Sequence, residues 1–327
     1  MQTGDKGVGK QVTEHNKRIS VAMITYNQEN YIRQALDSIL MQRGQFDLEI
    51  IIGDDASTDS TQDILKEYNS KYPDIIKPIL RKKNKGVTSN FYDVIMRCSG
   101  DYIALLEGDD YWIDKYKLEK QKRFLDAHQD YACIAHDYDM IDTEGKIYPH
   151  GRVAGNYTLK DFMLAKLPGH TATLVFRNFF KDGKDDYKII KEASKVIGDR
   201  TVIVLSLLHG KIYSSKEVMS VYRVFSSKDA WSNTFGKKSK EINPYYEELC
   251  YFVRLTNYTK EKWGVKISAF CNKSYCVYSA LKRYRKSKNI NDKIIMKRTI
   301  KLYDESKILL FLCCIYLFMR DVKNGEF

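Results

Sequence analysis

Three carboxylates fall within four residues, Glu107, Asp109 and Asp110, with Gly108 after the first. The apolar run Tyr102 to Leu106 stands directly before them and reads as a buried strand. The acids therefore occupy the turn at that strand's carboxyl end, where ligands of open α/β sheets collect. Like charges this close repel one another, and a cation is the simplest thing that would hold them together. Hard Mg²⁺ or Mn²⁺ takes one or two carboxylates plus phosphate oxygens, which points to a metal on a diphosphate. A solvated acidic turn is the plainer alternative. The strand in front and the aromatic pair Tyr111-Trp112 behind speak for a site. A separate acid, Asp199, precedes the apolar helix Thr201 to Leu208 and is expected at its N-cap. That position favours the ionised form and would keep Asp199 a carboxylate at neutral pH.

Periodicity shows what must position these groups. Ile19 to Thr25 is a first strand, ending in Tyr26-Asn27, and Ile32, Ala35, Leu36, Ile39 and Leu40 recur at helical spacing after it. Leu48 to Gly53 is nearly all apolar, as a strand covered on both faces should be, and runs into Asp54-Asp55. A third strand, Ile75 to Leu80, is weakened by Pro78. Helices follow at Ile64 to Tyr68 and Val87 to Cys98. Strand and helix alternating in this way predict a parallel sheet with right-handed crossovers. Its first, second and fourth strands end in polar turns facing one crevice. Beyond Trp112 come a helix through Leu118 to Leu125, a strand at Ala132 to His136, and another at Leu174 to Arg177 after Pro168-Gly169-His170-Thr171.

The charge is uneven. The chain of 327 residues carries a formal net charge of +12, and from Lys260 onward there are 16 Lys/Arg against 6 Asp/Glu. The body is thus nearly neutral, and the basic tail predicts contact with an anionic surface. Ile308 to Met319 contains no charge. As a helix it reaches about 18 Å, short of the roughly 30 Å of a bilayer core, so it reads as a core helix or an interfacial anchor. The 7 cysteines are scattered without a zinc spacing and read as reduced cytosolic thiols. Residues 1–18 are polar and read as a disordered tail without a secretory leader. Gly4 to Lys10 has the spacing of a phosphate loop, but Gln11 replaces its Ser/Thr and no strand precedes it.

Several motifs in order resemble family 2 glycosyltransferases of the GT-A type, over roughly Ile19 to Phe225. Val21 to Asn27 resembles the family's opening strand and nucleotide turn. Gly53 to Asp59 resembles the second turn, and Asn84-Lys85-Gly86 a short turn before a helix. Glu107-Gly108-Asp109-Asp110 falls at the Asp-x-Asp metal motif, with Glu107 in place of the first Asp. Tyr111-Trp112 and Lys117-Leu118-x-x-Gln121 are similar to one large branch. Gly198-Asp199 resembles the segment of the catalytic base, and Tyr222 to Phe225 a Tyr-Arg-x-His segment with Phe225 where many relatives have His. The resemblance implies a mostly parallel nucleotide-binding sheet with helices on both faces, spanning 19–234, and a basic helical region at 235–327. It implies Asp199 as catalytic base and Asp109 as the ligand of Mn²⁺ or Mg²⁺. Nucleotide contacts would come from Thr25, Tyr26, Asn27, Glu29, Asp55 (on uracil), Asn84, Glu107 and Gly108. Donor or acceptor sugar would meet Asp110, Trp112, His170 and Arg223.

The implied function is an inverting transfer from a nucleotide-diphosphate sugar, a UDP-sugar by the second turn, to a hydroxyl of a glycan or lipid-linked acceptor in bacterial surface polysaccharide synthesis. The residues agree with it. A cation stabilises the departing diphosphate, and a separate carboxylate takes the acceptor's proton. A cytoplasmic enzyme, peripheral on an anionic membrane, is expected. A non-catalytic scaffold of this fold stays open as the alternative. A sugar nucleotidyltransferase is disfavoured because Thr25 to Glu29 offers no Gly-rich triphosphate loop, and no nucleic-acid reader motif is present.

Overall fold

The structure is a computed structural model that describes residues 16–151, 154–195, 197–224 and 244–324. The expected disordered tail and the phosphate-loop spacing within residues 1–15, and Phe225 and the boundary at 234/235, lie outside the described residues. Arg18, however, already pairs with Asp47, so the ordered body begins inside the stretch expected to be disordered.

Four parallel strands form one half of the sheet, in the order β3 (Ile76–Leu80), β2 (Asp47–Asp54), β1 (Arg18–Thr25) and β4 (Tyr102–Glu107). Alternation sends Ile19, Val21, Met23, Ile50 and Ile52 to one face, beneath α1 (Ile32–Leu40), α2 (Thr61–Lys71) and α4 (Lys117–Ala127). Ala22, Ile51, Ile103 and Leu105 go to the other, beneath α3 (Val87–Ile95) and α7 (Asp199–His209). Helices thus cover both faces, and both sides of each strand are apolar. Pro78 is accommodated because β3 is the edge of the sheet.

The other half is mixed. The three-residue β9 (Val175–Arg177) runs antiparallel between β4 and β6 (Tyr131–Ile141). Beyond β6 lies β10 (Lys211–Arg223), parallel to it, and the two-residue β5 (Tyr111–Trp112) pairs antiparallel with the end of β10. Short β7 (Ile147–Pro149) and β8 (Gly155–Tyr157) add to β6 and β10. The expected mostly parallel sheet is found: β3 to β4 and β6 with β10 pair in parallel, while the short β5, β7, β8 and β9 pair antiparallel. Helices α5 (Leu159–Met163) and α6 (Ile189–Glu192) are short.

The tail folds as α8 (Pro244–Trp263), α9 (Phe270–Ser287), α10 (Ile290–Leu302) and α11 (Lys307–Lys323). It is not a separate body at its start, because Tyr251, Phe252 and Leu255 of α8 join the core beneath α3 and α7. Farther out, Lys273 is fully buried and held by Asp304 (2.7 Å) and Glu305 (3.2 Å), which tie α9 to the α10–α11 turn.

Gly53 shows how tightly α3 sits on β2. A Cβ there would come 2.3 Å from Asn90 Oδ1 and 2.6 Å from Val94 Cγ2. Asn90 has little freedom to yield, since its amide donates to Gly53 O (2.7 Å) and its Oδ1 accepts from Arg81 Nε (3.0 Å). Gly53→Ala is expected to lower stability by about 1–3 kcal/mol in denaturant unfolding. An unchanged midpoint would show that α3 slides freely on the sheet.

Candidate functional site

Two turns interlock at the carboxyl ends of β1 and β2. Asn27 has φ +53°, a conformation that Asn tolerates, and its Oδ1 accepts from Thr58 N (2.7 Å) while its own N–H donates to Ser57 Oγ (2.9 Å). Glu29 and Asp59 repeat the exchange: Glu29 N donates to Asp59 Oδ2 (3.1 Å) and Glu29 Oε2 accepts from Ser60 N (2.9 Å). Buried Asp54 accepts from Ser57 and Gln62. Asp55 is 4% exposed, and its two oxygens accept from Lys85 N (2.8 Å) and Gly86 N (2.9 Å). Asn84 closes that loop by donating to Asp55 O (3.0 Å) and accepting from Gly86 N (3.0 Å). Gly86 is required there by its φ of +89°. Thr25, Asn27, Glu29, Asp55 and Asn84 are thus brought into one rigid rim, with the Tyr26 ring exposed on it.

The acid turn docks beside this rim. Gly108 N donates to Ile24 O (3.2 Å), and a Cβ on Gly108 would lie 2.5 Å from Gln28 Oε1 and 2.9 Å from Thr25 Oγ1. Only glycine lets β4's turn approach β1's this closely. Glu107 lines the opening, while Asp110 is 2% exposed. Arg223 N donates to Asp110 Oδ1 (2.9 Å), and His170 Nδ1 stands 3.5 Å from Asp110 Oδ2 with its Nε2 4.0 Å from Glu107 Oε2. Glu107, Asp110 and His170 offer ligand atoms that all lie within 4.8 Å of one another. The guanidinium of Arg223 lies over the rings of Tyr31 (4.9 Å) and Tyr111 (5.0 Å) and donates to Gln34.

The electrostatics follow from this crowding. Desolvation, then the charges of Asp109 and Asp199, push Glu107 up to about 8. Desolvation, then Asp109 and Glu107, hold Asp110 well above the usual carboxylate range, and burial also raises Asp109 against the opposing pull of Gln28 and Arg223. Burial and the same three acids push Tyr222 up to about 12, and its ring lies 4.0 Å from that of His170.

Two expectations need correction. Trp112 is 1% exposed and its indole N–H donates to Ala172 O (2.9 Å), so it is a core residue under the site and not a sugar contact. Alternation along β5 turns Trp112 inward and leaves Tyr111 outward. Asp199 is the first residue of α7, whose N-cap is Gly198, and no side chain caps that helix. It stays partly exposed and close enough to bear on Glu107, while the next residue, Arg200, is held by Glu248 of α8 (2.8 Å). Gln28 and Glu248 belong to the surroundings of the site although no role was read for them in the sequence, and Tyr222 was read only as part of its segment. Gln28 lies within the turn after β1, where its side chain could have been suspected. Glu248 sits in a Tyr-rich helical stretch with no local signal.

Among known proteins, the model of the family "Glycosyl transferase family 2" matches residues 20–183. An uncharacterised Mycobacterium tuberculosis protein is 49% identical over 127 residues, covering 39% of this chain and 37% of that protein. Bacillus subtilis TuaG, named as a candidate teichuronic acid biosynthesis glycosyltransferase, is 37% identical over 114 residues, covering 35% of this chain and 44% of TuaG. The chain therefore spans well under half the length of these relatives. Among solved structures, Staphylococcus aureus TarS in complex with UDP-GlcNAc superposes with a TM-score of 0.50 at 18% identity, over 80% of each chain, a likeness of fold.

A raised carboxyl has a definite effect on stability. Between its ordinary 4.5 and about 8, Glu107 keeps its proton in the folded chain and loses it in the unfolded one. Stability is then fully present below the lower value and declines as pH rises through that window. Thermal unfolding of the ligand-free protein should show this decline from pH 5 to pH 8, and Glu107→Gln should make it shallower. An identical slope in the variant would mean that Glu107 ionises normally.

Proposed function

The chain belongs to glycosyl transferase family 2, and from that premise we propose that it is an inverting glycosyltransferase acting on a UDP-sugar. The observation that carries the reading is the meeting of three separate pieces at the carboxyl ends of β1, β2 and β4. These are the rim around Asp55, the acid turn Glu107 to Asp110 with His170 and Arg223, and Asp199 from a helix of its own. The UDP-GlcNAc complex of the fold neighbour TarS supports the choice of nucleotide.

In this reading the rim around Thr25, Tyr26, Asn27, Glu29, Asp55 and Asn84 takes the nucleoside, with Asp55 toward uracil. The acid turn fits a hard divalent cation. Its donors are carboxylate oxygens and an imidazole nitrogen at mutual distances within 4.8 Å, and like charges hold their protons until a cation displaces them. Glu107, Asp110 and His170 would hold Mn²⁺ or Mg²⁺, with Asp109 adding its carboxylate at their side. The bound cation supplies positive charge where the diphosphate departs. Arg223, pinned between two tyrosine rings, adds a fixed cation of the protein's own on the same side.

Asp199 accepts the proton of the acceptor hydroxyl. The acceptor oxygen forms its bond to the anomeric carbon as the bond from that carbon to the diphosphate oxygen breaks, and both electrons leave with UDP. One displacement inverts the centre, so no enzyme nucleophile is required. The Glu248–Arg200 ion pair holds Arg200 against α8, from where its charge also bears on Asp199. A glycan or lipid-linked acceptor at the cytoplasmic face of the cell, in surface polysaccharide synthesis, is consistent with the pathway in TuaG's name.

A panel of nucleotide sugars, read by UDP release, tests the donor. Asp199→Asn tests the mechanism. Asp199 makes no capping bond, so the substitution should leave folding and UDP affinity unchanged. Turnover should fall by about 10²–10⁴. Retention of more than about a tenth of the activity would place the base elsewhere.

A further inference from the structure

Helix α11 is apolar nearly all the way round. It turns Leu310, Cys313, Cys314 and Leu317 inward, and Asp321 at its end bonds Lys282 of α9 (2.7 Å). The rest of its perimeter is open: Ile308 is 75% exposed, Phe311 65%, Tyr316 68% and Met319 64%. A helix with this pattern ordinarily lies within a core or against lipid. At 17 residues it is about 25 Å long, too short for a bilayer core of roughly 30 Å. Among the described residues no helix is long and apolar enough to cross a membrane.

The ground beside it has matching chemistry. A groove of about 680 Å³ runs between α11 and α9, floored by Phe311, Ile315 and Phe318. Lys282, held by Asp321, and Arg285 and Lys288 also line it. The sequence from Lys260 onward carries 16 Lys/Arg against 6 Asp/Glu. A second copy of this chain would bring the same excess of positive charge to the contact, which disfavours self-association through this face. An acidic lipid surface satisfies both the apolar stripe and the cations.

We propose that α11 and the groove beside it seat the protein on a bilayer rich in anionic phospholipid. This rests on the C-terminal helices alone and is independent of the catalytic reading. The test is co-sedimentation of the full chain with phosphatidylcholine vesicles, with and without phosphatidylglycerol. Binding is expected only with the anionic lipid and should weaken at about 1 M salt. Arg285→Gln with Lys288→Gln should lower partitioning about fivefold per charge, roughly 30-fold together. Phe311→Ser, Tyr316→Ser and Met319→Ser, all exposed positions, should lower it by at least about tenfold. UDP release should be unchanged in both variants. Failure of the wild-type chain to bind vesicles, equal binding to neutral vesicles, or wild-type binding by the variants would overturn the proposal. So would a lipid-free dimer in light scattering that the triple substitution disperses, since a second copy would then cover the face.

Discussion

Asp110 lies almost wholly buried between two other carboxylates at the end of β4, and much of the molecule answers to that placement. An isolated buried carboxylate is expensive, so it must lose its charge or find partners. Its partners come from far away in the sequence. β10 runs thirteen residues, bending at irregular pairings with β6, and ends by placing the Arg223 N–H on Asp110. β5 pairs with that end of β10, so the residues just after the acids hold the strand that bonds Asp110. The loop before β9 supplies His170 on the other side. The mixed half of the sheet thus serves to surround one turn.

The rim beside it, at the ends of β1 and β2, is built on the opposite principle. Its acids, Asp54, Asp55, Glu29 and Asp59, are consumed by backbone N–H groups and nearby side chains and hold loop to loop. That rigidity is useful for recognition, because a preformed rim loses little entropy when a ligand arrives. The acid turn keeps its electrostatic conflict unresolved, with Glu107 raised to about 8. Conflict of this kind at a concave site is characteristic of a place where a cation or a reacting group is to be bound. The chain therefore has one rim satisfied within itself and one turn whose carboxylates have acids for neighbours.

The half of the fold built from β1 to β4 was legible because its strands are continuous apolar runs and its helices keep a clean period. Pro78 made the third strand look weak, and the strand forms because β3 is the edge of the sheet. β10 escaped notice because its middle, Ser-Ser-Lys-Glu, is polar where the strand shifts register against β6. β9 read correctly as a strand, but nothing in three residues states their direction. Among the site residues, the acid turn and the rim were visible as local clusters. Trp112 misled because it follows the acid turn so closely, whereas its own side chain is set by alternation. His170 stood out as a polar residue near a strand, but its placement against both Glu107 and Asp110 depends on sheet order, which spacing does not encode. The role of α8 beside Arg200 depends on tertiary packing in the same way.

Glu107, raised to about 8, is expected to keep its proton at pH 7 until a divalent cation and UDP arrive together. Calorimetry at pH 7 in two buffers of different ionisation enthalpy measures this directly, by titrating UDP with Mn²⁺ and then with chelator. Binding should require Mn²⁺ and release protons to the buffer. Equal UDP affinity in chelator, or metal-dependent binding without proton release, would contradict it.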